Sequence, residues 1–267
     1  MPTGYSIYVD TPSALHQKVD PRTKLIALLA TFIVALCFNH PLVLGLMVAG
    51  VLGLGLWARL PVKRLVPFLL AAAWFILLAV LIWPAYIEQG PRLFTVFGLE
   101  VTRDGILFGL AMGLRVSLMM LAAAVWMMTT SPQKLTLGLM KMGLPYKAGL
   151  ALSSTIRFVP LVTAQHATIT EAQRARGLRL DKGHALSRLT KSVAVLGPVF
   201  MRALALAQSL AVAMDSRGLG ARDTRTSILE IRLSRTDGVI MMLCGLAVVL
   251  GLIMRYRGIG VLVRGFL

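Results

Sequence analysis

The sequence predicts an all-α integral membrane protein, with about five transmembrane helices plus amphipathic coupling helices on the cytoplasmic side. Three observations carry that expectation. Of 267 residues, 57% are hydrophobic and only 15% charged, which is too apolar for an ordinary soluble domain. Apolar runs at 25–38, 42–57, 66–87, 105–128 and 237–254 approach or reach the roughly 20 residues that a helical span needs. The formal charge of +17 is concentrated, with sixteen Lys and Arg against five acidic residues between positions 134 and 235, as the positive-inside rule expects of a cytoplasmic stretch. Spread over a soluble chain, such a charge would suggest nucleic acid; between apolar spans it suggests a lipid bilayer, and no nucleic-acid partner is expected.

Residues 1–19 are polar and turn-rich, without the basic and then apolar pattern of a cleavable signal peptide. The first span starts at Asp20-Pro21, aspartate as N-cap and proline at the first helical position, where its missing N–H costs nothing. Arg22 and Lys24 mark that end as cytoplasmic. Only Asn39-His40-Pro41 separates the first two runs, so they form a tight hairpin, and Arg59, Lys63 and Arg64 return the chain to the basic side. The third span closes on Trp83 and Tyr86, read as interfacial anchors. The loop after it alternates as LFTVFGLEVT, a candidate β-hairpin. The fourth span contains Gly109 and Gly113 at a spacing that allows close helix approach. It also contains Arg115, whose charge must face protein or water. Two readings stand for Arg115: a buried link holding the helix bundle together or contacting a partner subunit, or local pairing with Ser117 or backbone carbonyls.

After residue 128 the character changes. Ser131 and Pro132 open a short amphipathic helix to Met142, which Gly143-Leu144-Pro145 breaks. A long helix then runs from Tyr146 to Arg176 through Arg157 and Pro160. A basic turn to Lys191 precedes a second long helix, through Pro198, ending in AMDSRG. The expected division is an N-terminal membrane domain at 1–128, a coupling domain at 129–235 and a last span with its tail at 236–267. The tail carries Arg255, Arg257 and Arg264, which look cytoplasmic, whereas five spans would leave it outside.

Both long helices end alike, in Ala175-Arg176-Gly177 and Ser216-Arg217-Gly218. Glycine takes the left-handed conformation just past a last turn at no steric cost, so each glycine fixes where its arginine points. One reading is a well-made C-terminus, worth about 0.3–1 kcal/mol. The other is a pair of guanidinium forks offered to carboxylates of another protein, with Glu171, Asp215 and Arg115 as supporting candidates. Catalysis has little to stand on. GxxxxGK[ST] does not occur, His16, His40, His166 and His184 are scattered, and Cys37 and Cys244 sit in apolar runs.

These residues resemble the transmembrane T component of energy-coupling factor (ECF) vitamin and metal importers. The likeness lies in VDPRTKL, TTSPQKL, MGLPYKAGLALSSTIRFVPLV, EAQRARG and AMDSRGLG. It implies that the two Arg-Gly endings dock in grooves of two ABC ATPase subunits. It implies too that a hydrophobic S component binds the substrate, and that ATP and magnesium belong to the ATPases, with no cofactor on this chain. The resemblance further implies a non-catalytic subunit of a prokaryotic cell membrane and leaves cobalt, nickel, biotin and thiamine all open as substrates. The competing reading is the permease of a conventional ABC importer, since Glu171-Ala172-Gln173 followed by Gly177 mimics an EAA loop. An intramembrane enzyme or a channel would need a polar constellation, for which Arg115 alone does not suffice.

Overall fold

The computed structural model describes residues 19–86, 91–96, 99–178, 185–219 and 234–257. The polar lead-in to residue 18, part of the basic turn at 179–184, and the tail from 258, with Arg264, lie outside the described residues. Eight α-helices are described: α1 Pro21–Cys37, α2 Pro41–Trp57, α3 Val62–Ile82, α4 Arg103–Thr129, α5 Pro132–Lys141, α6 Tyr146–Ala175, α7 Ala185–Ser216 and α8 Arg235–Tyr256. Between α3 and α4 the expected hairpin is present as β1 Arg92–Val96 and β2 Leu99–Thr102, antiparallel with a bulge between Arg92 and Phe94. Helices α3, α4 and α8 are long and apolar enough to cross a membrane; α2 is apolar but shorter. Residues 192–216 of α7 also qualify by length and composition, although Arg202 and Asp215 interrupt them.

Local chemistry sets most helix starts. The Asp20 side chain accepts from Arg22 N at 2.9 Å, with Pro21 at the first position of α1. Thr102 Oγ1 accepts from Gly105 N and Ser131 Oγ from Lys134 N, each satisfying an amide that the first turn leaves without a carbonyl. Three boundaries differ from expectation, one being the end of α3, which stops at Ile82 and passes into a 3₁₀ turn over Trp83–Ala85 rather than running to residue 87. Helix α3 begins at Val62 behind Pro61, taking Lys63 and Arg64 into its first turn, and α7 begins at Ala185, taking in the end of the basic turn. Lysine, arginine, leucine and alanine are good helix formers, so charge alone did not make either stretch a loop.

The chain forms two compact units, Met1–Met142 with Ile231–Leu267, and Gly143–Glu230. The first unit takes in α5, which the sequence grouped with the long helices: its Gly138 lies against Pro21 and Arg22 of α1, and its Thr136 is buried. Helix α4 is the hub of this unit, packing on α1, α2 and α3, while α8 packs on α1. Its buried face includes Phe108, Ala111, Leu118, Leu121 and Met128. The outward faces stay apolar, with Leu42, Leu46, Leu70, Leu81 and Met242 exposed, as suits a surface solvated by lipid. Trp83, expected as an interfacial anchor, is half-buried and packs edge-on against Phe108 at 5.0 Å between ring centroids. An offset aromatic contact of this kind adds about 0.5–1.5 kcal/mol to its burial.

Gly109 and Gly113 let α3 and α4 touch backbone to backbone. A Cβ on Gly113 would stand 2.6 Å from Ile76 Cα, and one on Gly109 2.8 Å from the Ala79 carbonyl oxygen. Gly113→Ala is therefore expected to push the helices apart and cost about 1–3 kcal/mol, as overpacking does. Gly53 of α2 has nothing within 4 Å of such an atom, so Gly53→Ala should be neutral or stabilise by up to about 1 kcal/mol, the helix-propensity gain of alanine over glycine. Thermal unfolding of both variants in the same detergent checks the contrast, and equal melting temperatures would refute it.

Helices α1 and α8 run in the same direction. Asp20 N donates to Asp237 Oδ1 at one end, and Arg255 Nη1 donates to the Leu36 carbonyl at 2.6 Å at the other. Arg255 thus stands at the end of the bundle away from Asp20.

Candidate functional site

Both Arg-Gly endings close with the same set of backbone hydrogen bonds. After α6, Leu178 N donates to Gln173 O and Gly177 N to Arg174 O, both at 3.0 Å. After α7, Leu219 N donates to Met214 O at 3.0 Å and Gly218 N to Asp215 O at 2.9 Å. This is the paired 6→1 and 5→2 bonding of a Schellman motif, which needs a left-handed residue just past the helix. Gly177 and Gly218 supply it, with φ of 91° and 68°. The two endings are therefore one local structure made twice.

Because backbone amides do the capping, the arginine side chains are not used for it. Arg176 and Arg217 are exposed, and neither makes an ion pair within 4 Å among the described residues. Ala175, Glu171, Asp215 and Ser216 are exposed as well. Glu171 and Asp215 stay unpaired with either arginine at that distance. Among the described residues, then, the acidic candidates do not hold the forks in place; the helix ends do.

The two endings are separate. Helix α7 is 32 residues long, about 48 Å at 1.5 Å per residue. Nine peptide units lead from Arg176 to Ala185, a reach of at most about 30 Å. The Cα atoms of Arg176 and Arg217 are consequently separated by on the order of 15 Å or more, so the two endings are distinct places on the surface. The helices that carry them bury little: Leu152, Val159, Leu161, Val193, Phe200, Met201 and Val212 are all exposed. Apolar surface of this extent marks contact with a membrane or with another protein.

Arg115 belongs to a different place. It is 7% exposed in the middle of α4 and is bonded to the end of α1. Nε donates to the Ala35 carbonyl at 3.1 Å, and Nη2 to the Phe38 carbonyl at 2.8 Å and to Asn39 Oδ1. Nη1 meets Met112 Sδ at 3.2 Å. The guanidinium thus satisfies carbonyls that the last turn of α1 leaves open, and its charge faces the negative end of that helix. Both sequence readings hold in part: the partners are backbone carbonyls, and they lie across a helix interface. Ser117 is not among them, since its hydroxyl donates to the Ala72 carbonyl at 3.1 Å. Asn39, 1% exposed, went unnoticed in the sequence. Its one signal there was an amide side chain in a turn too short to carry it out of an apolar hairpin.

A protein-family model described as Cobalt transport protein, CbiQ, matches residues 12–228. The chain is 32% identical over 260 residues to the energy-coupling factor transporter transmembrane protein EcfT of Listeria innocua, covering 94% of this chain and 96% of the relative. It is 31% identical to the protein of that name from Bacillus subtilis, covering 91% and 95%. It is 30% identical to the one from Acidaminococcus fermentans, covering 88% and 91%.

Proposed function

The chain belongs to the CbiQ family as a multi-pass transmembrane T component of an energy-coupling factor transporter, and from that premise we propose that it couples two ABC ATPase subunits to a hydrophobic, substrate-binding S component. The observation that carries this reading is the twinned helix ending. Two arginines with no capping duty, each aimed by a left-handed glycine, offer two separate forks at exposed helix ends. A guanidinium fork matches a carboxylate with two parallel hydrogen bonds, and two such forks suit a pair of like ATPases. Each long helix then acts as a lever that carries closure of the ATPase pair to the membrane unit. The Arg-Gly ends of α6 and α7 face the cytoplasm in this reading, where the basic surplus belongs. Nucleotide chemistry stays on the ATPases, and the exposed apolar surface of α6 and α7 is covered by lipid and by the S component. A conventional permease offers one EAA loop; here Glu171 to Gln173 lie inside the last turns of α6, and the ending recurs on α7.

Isolation of the tagged chain in mild detergent tests the proposal. ATP-hydrolysing subunits and a small, very hydrophobic protein should accompany it. A lone chain that binds and moves a substrate unaided would refute the coupling role.

A further inference from the structure

Two stretches of chain lead between the first unit and the second, one following α5 and one leading into α8. Both are tied to the same five residues, Asp20 to Lys24 at the start of α1. Lys24 Nζ donates to the Thr129 carbonyl at 2.8 Å, two residues before the cap of α5, and Gly138 of α5 rests on Pro21 and Arg22. On the other side, Asp237 Oδ1 accepts from Asp20 N at 3.0 Å while its Oδ2 accepts from Ser234 N at 2.9 Å. One carboxylate therefore completes the start of α8 and fastens it to α1.

The tie is made of buried charge. Asp20, Lys24 and Asp237 are 4%, 9% and 1% exposed, in a place where apolar side chains would pack at lower desolvation cost. Asp20 Oδ2 and Arg22 Nε are both buried without a hydrogen-bond partner, and Arg22 Nε stands 4.0 Å from Asp20 Oδ1. Arg22 and Asp20 thus form a long ion pair within the start of α1, beside the bond from Asp20 to Asp237.

We propose that Asp237 and Lys24 are positioning residues for energy coupling: they fasten both connections from the docking unit to the start of α1, so that displacement of that unit moves the membrane bundle. This rests on the coupling role proposed above. Asp237→Asn keeps the volume but leaves one acceptor for two amides, so either the α8 start or the tie to α1 is lost. Lys24→Met removes the other tie at similar length. Ser234→Ala loosens the capping box of α8 and leaves the Asp20 to Asp237 bond in place, which makes it the control.

The test uses the full complex purified with its ATPases, comparing hydrogen exchange before and after trapping with ATP and vanadate. In the unaltered complex and in Ser234→Ala, trapping should change exchange both in α6 and α7 and at the starts of α1 and α8. In Asp237→Asn and Lys24→Met the change in α6 and α7 should persist, with ATP hydrolysis maintained. The change at the start of α1 should shrink by about fivefold or more, the low end of an allosteric coupling. A full-sized α1 response in both variants overturns the proposal. So does a loss of all signals in proportion, which would make these bonds ordinary stabilising contacts. Failure of the unaltered chain to bring down any ATPase would instead strike the coupling role itself.

Discussion

Arg176→Glu and Arg217→Glu will each leave a folded, inserted chain that no longer holds its ATPase partners. Folding should survive because both side chains are exposed and the Schellman bonds that end α6 and α7 run between backbone groups. Binding should not survive. Removing one member of a desolvated charge pair at an interface costs about 2–5 kcal/mol, and reversal adds repulsion to that loss. At 1.4 kcal/mol per decade this is a fall in affinity of about 30-fold to several thousand-fold. Alanine should give most of the effect. Lysine should fall between, since it restores the charge without the two-pronged geometry. The competing expectation is that the arginines serve only the helix dipole, in which case alanine costs at most about 1 kcal/mol of stability and leaves the complex whole. Pull-down of the ATPases by the two alanine variants, beside a melting curve for each, separates these outcomes.

Arg115→Leu should produce the opposite pattern, a chain that fails in its own packing. The substitution strips hydrogen bonds from the Ala35 and Phe38 carbonyls and from Asn39, all buried. Leaving the two carbonyls without this donor costs about 1–3 kcal/mol each. Leucine inserts into a bilayer more easily than arginine, by roughly 3 kcal/mol at a helix centre. That gain applies equally to the separated, inserted helices and does little for their association. A net loss of about 3–5 kcal/mol is expected, in line with other broken buried networks, and a fall in melting temperature on the order of 10 °C. Arg115→Lys keeps the charge but cannot reach three acceptors at once, so it should be intermediate. Unchanged melting of the leucine variant would mean that the α1 terminus is satisfied in some other way.

Much of this architecture was legible because it is local. Asp20-Pro21, Ser131-Pro132, Arg176-Gly177 and Arg217-Gly218 act within one helical turn, so residue type and spacing suffice to place the start or end of a helix. The helix starts that moved, at Val62 and Ala185, lay where charged residues with good helix propensity imitated a loop. The twin endings, the candidate site itself, were readable for the same reason: each is complete within six residues of chain.

The chain's own pattern thus determined its class, its helices, the hairpin between α3 and α4, and the places where two arginines are presented. Tertiary packing alone decided who meets whom. Arg115 bonds carbonyls 77 and 80 residues away, and Asp237 bonds an amide 217 residues away. Trp83 meets Phe108, and α8 runs parallel to α1. In a soluble helix a polar stripe tells which face turns inward. In a membrane helix lipid is as apolar as the core, so both faces read alike, and the buried one is settled by close fit and hydrogen bonding between helices.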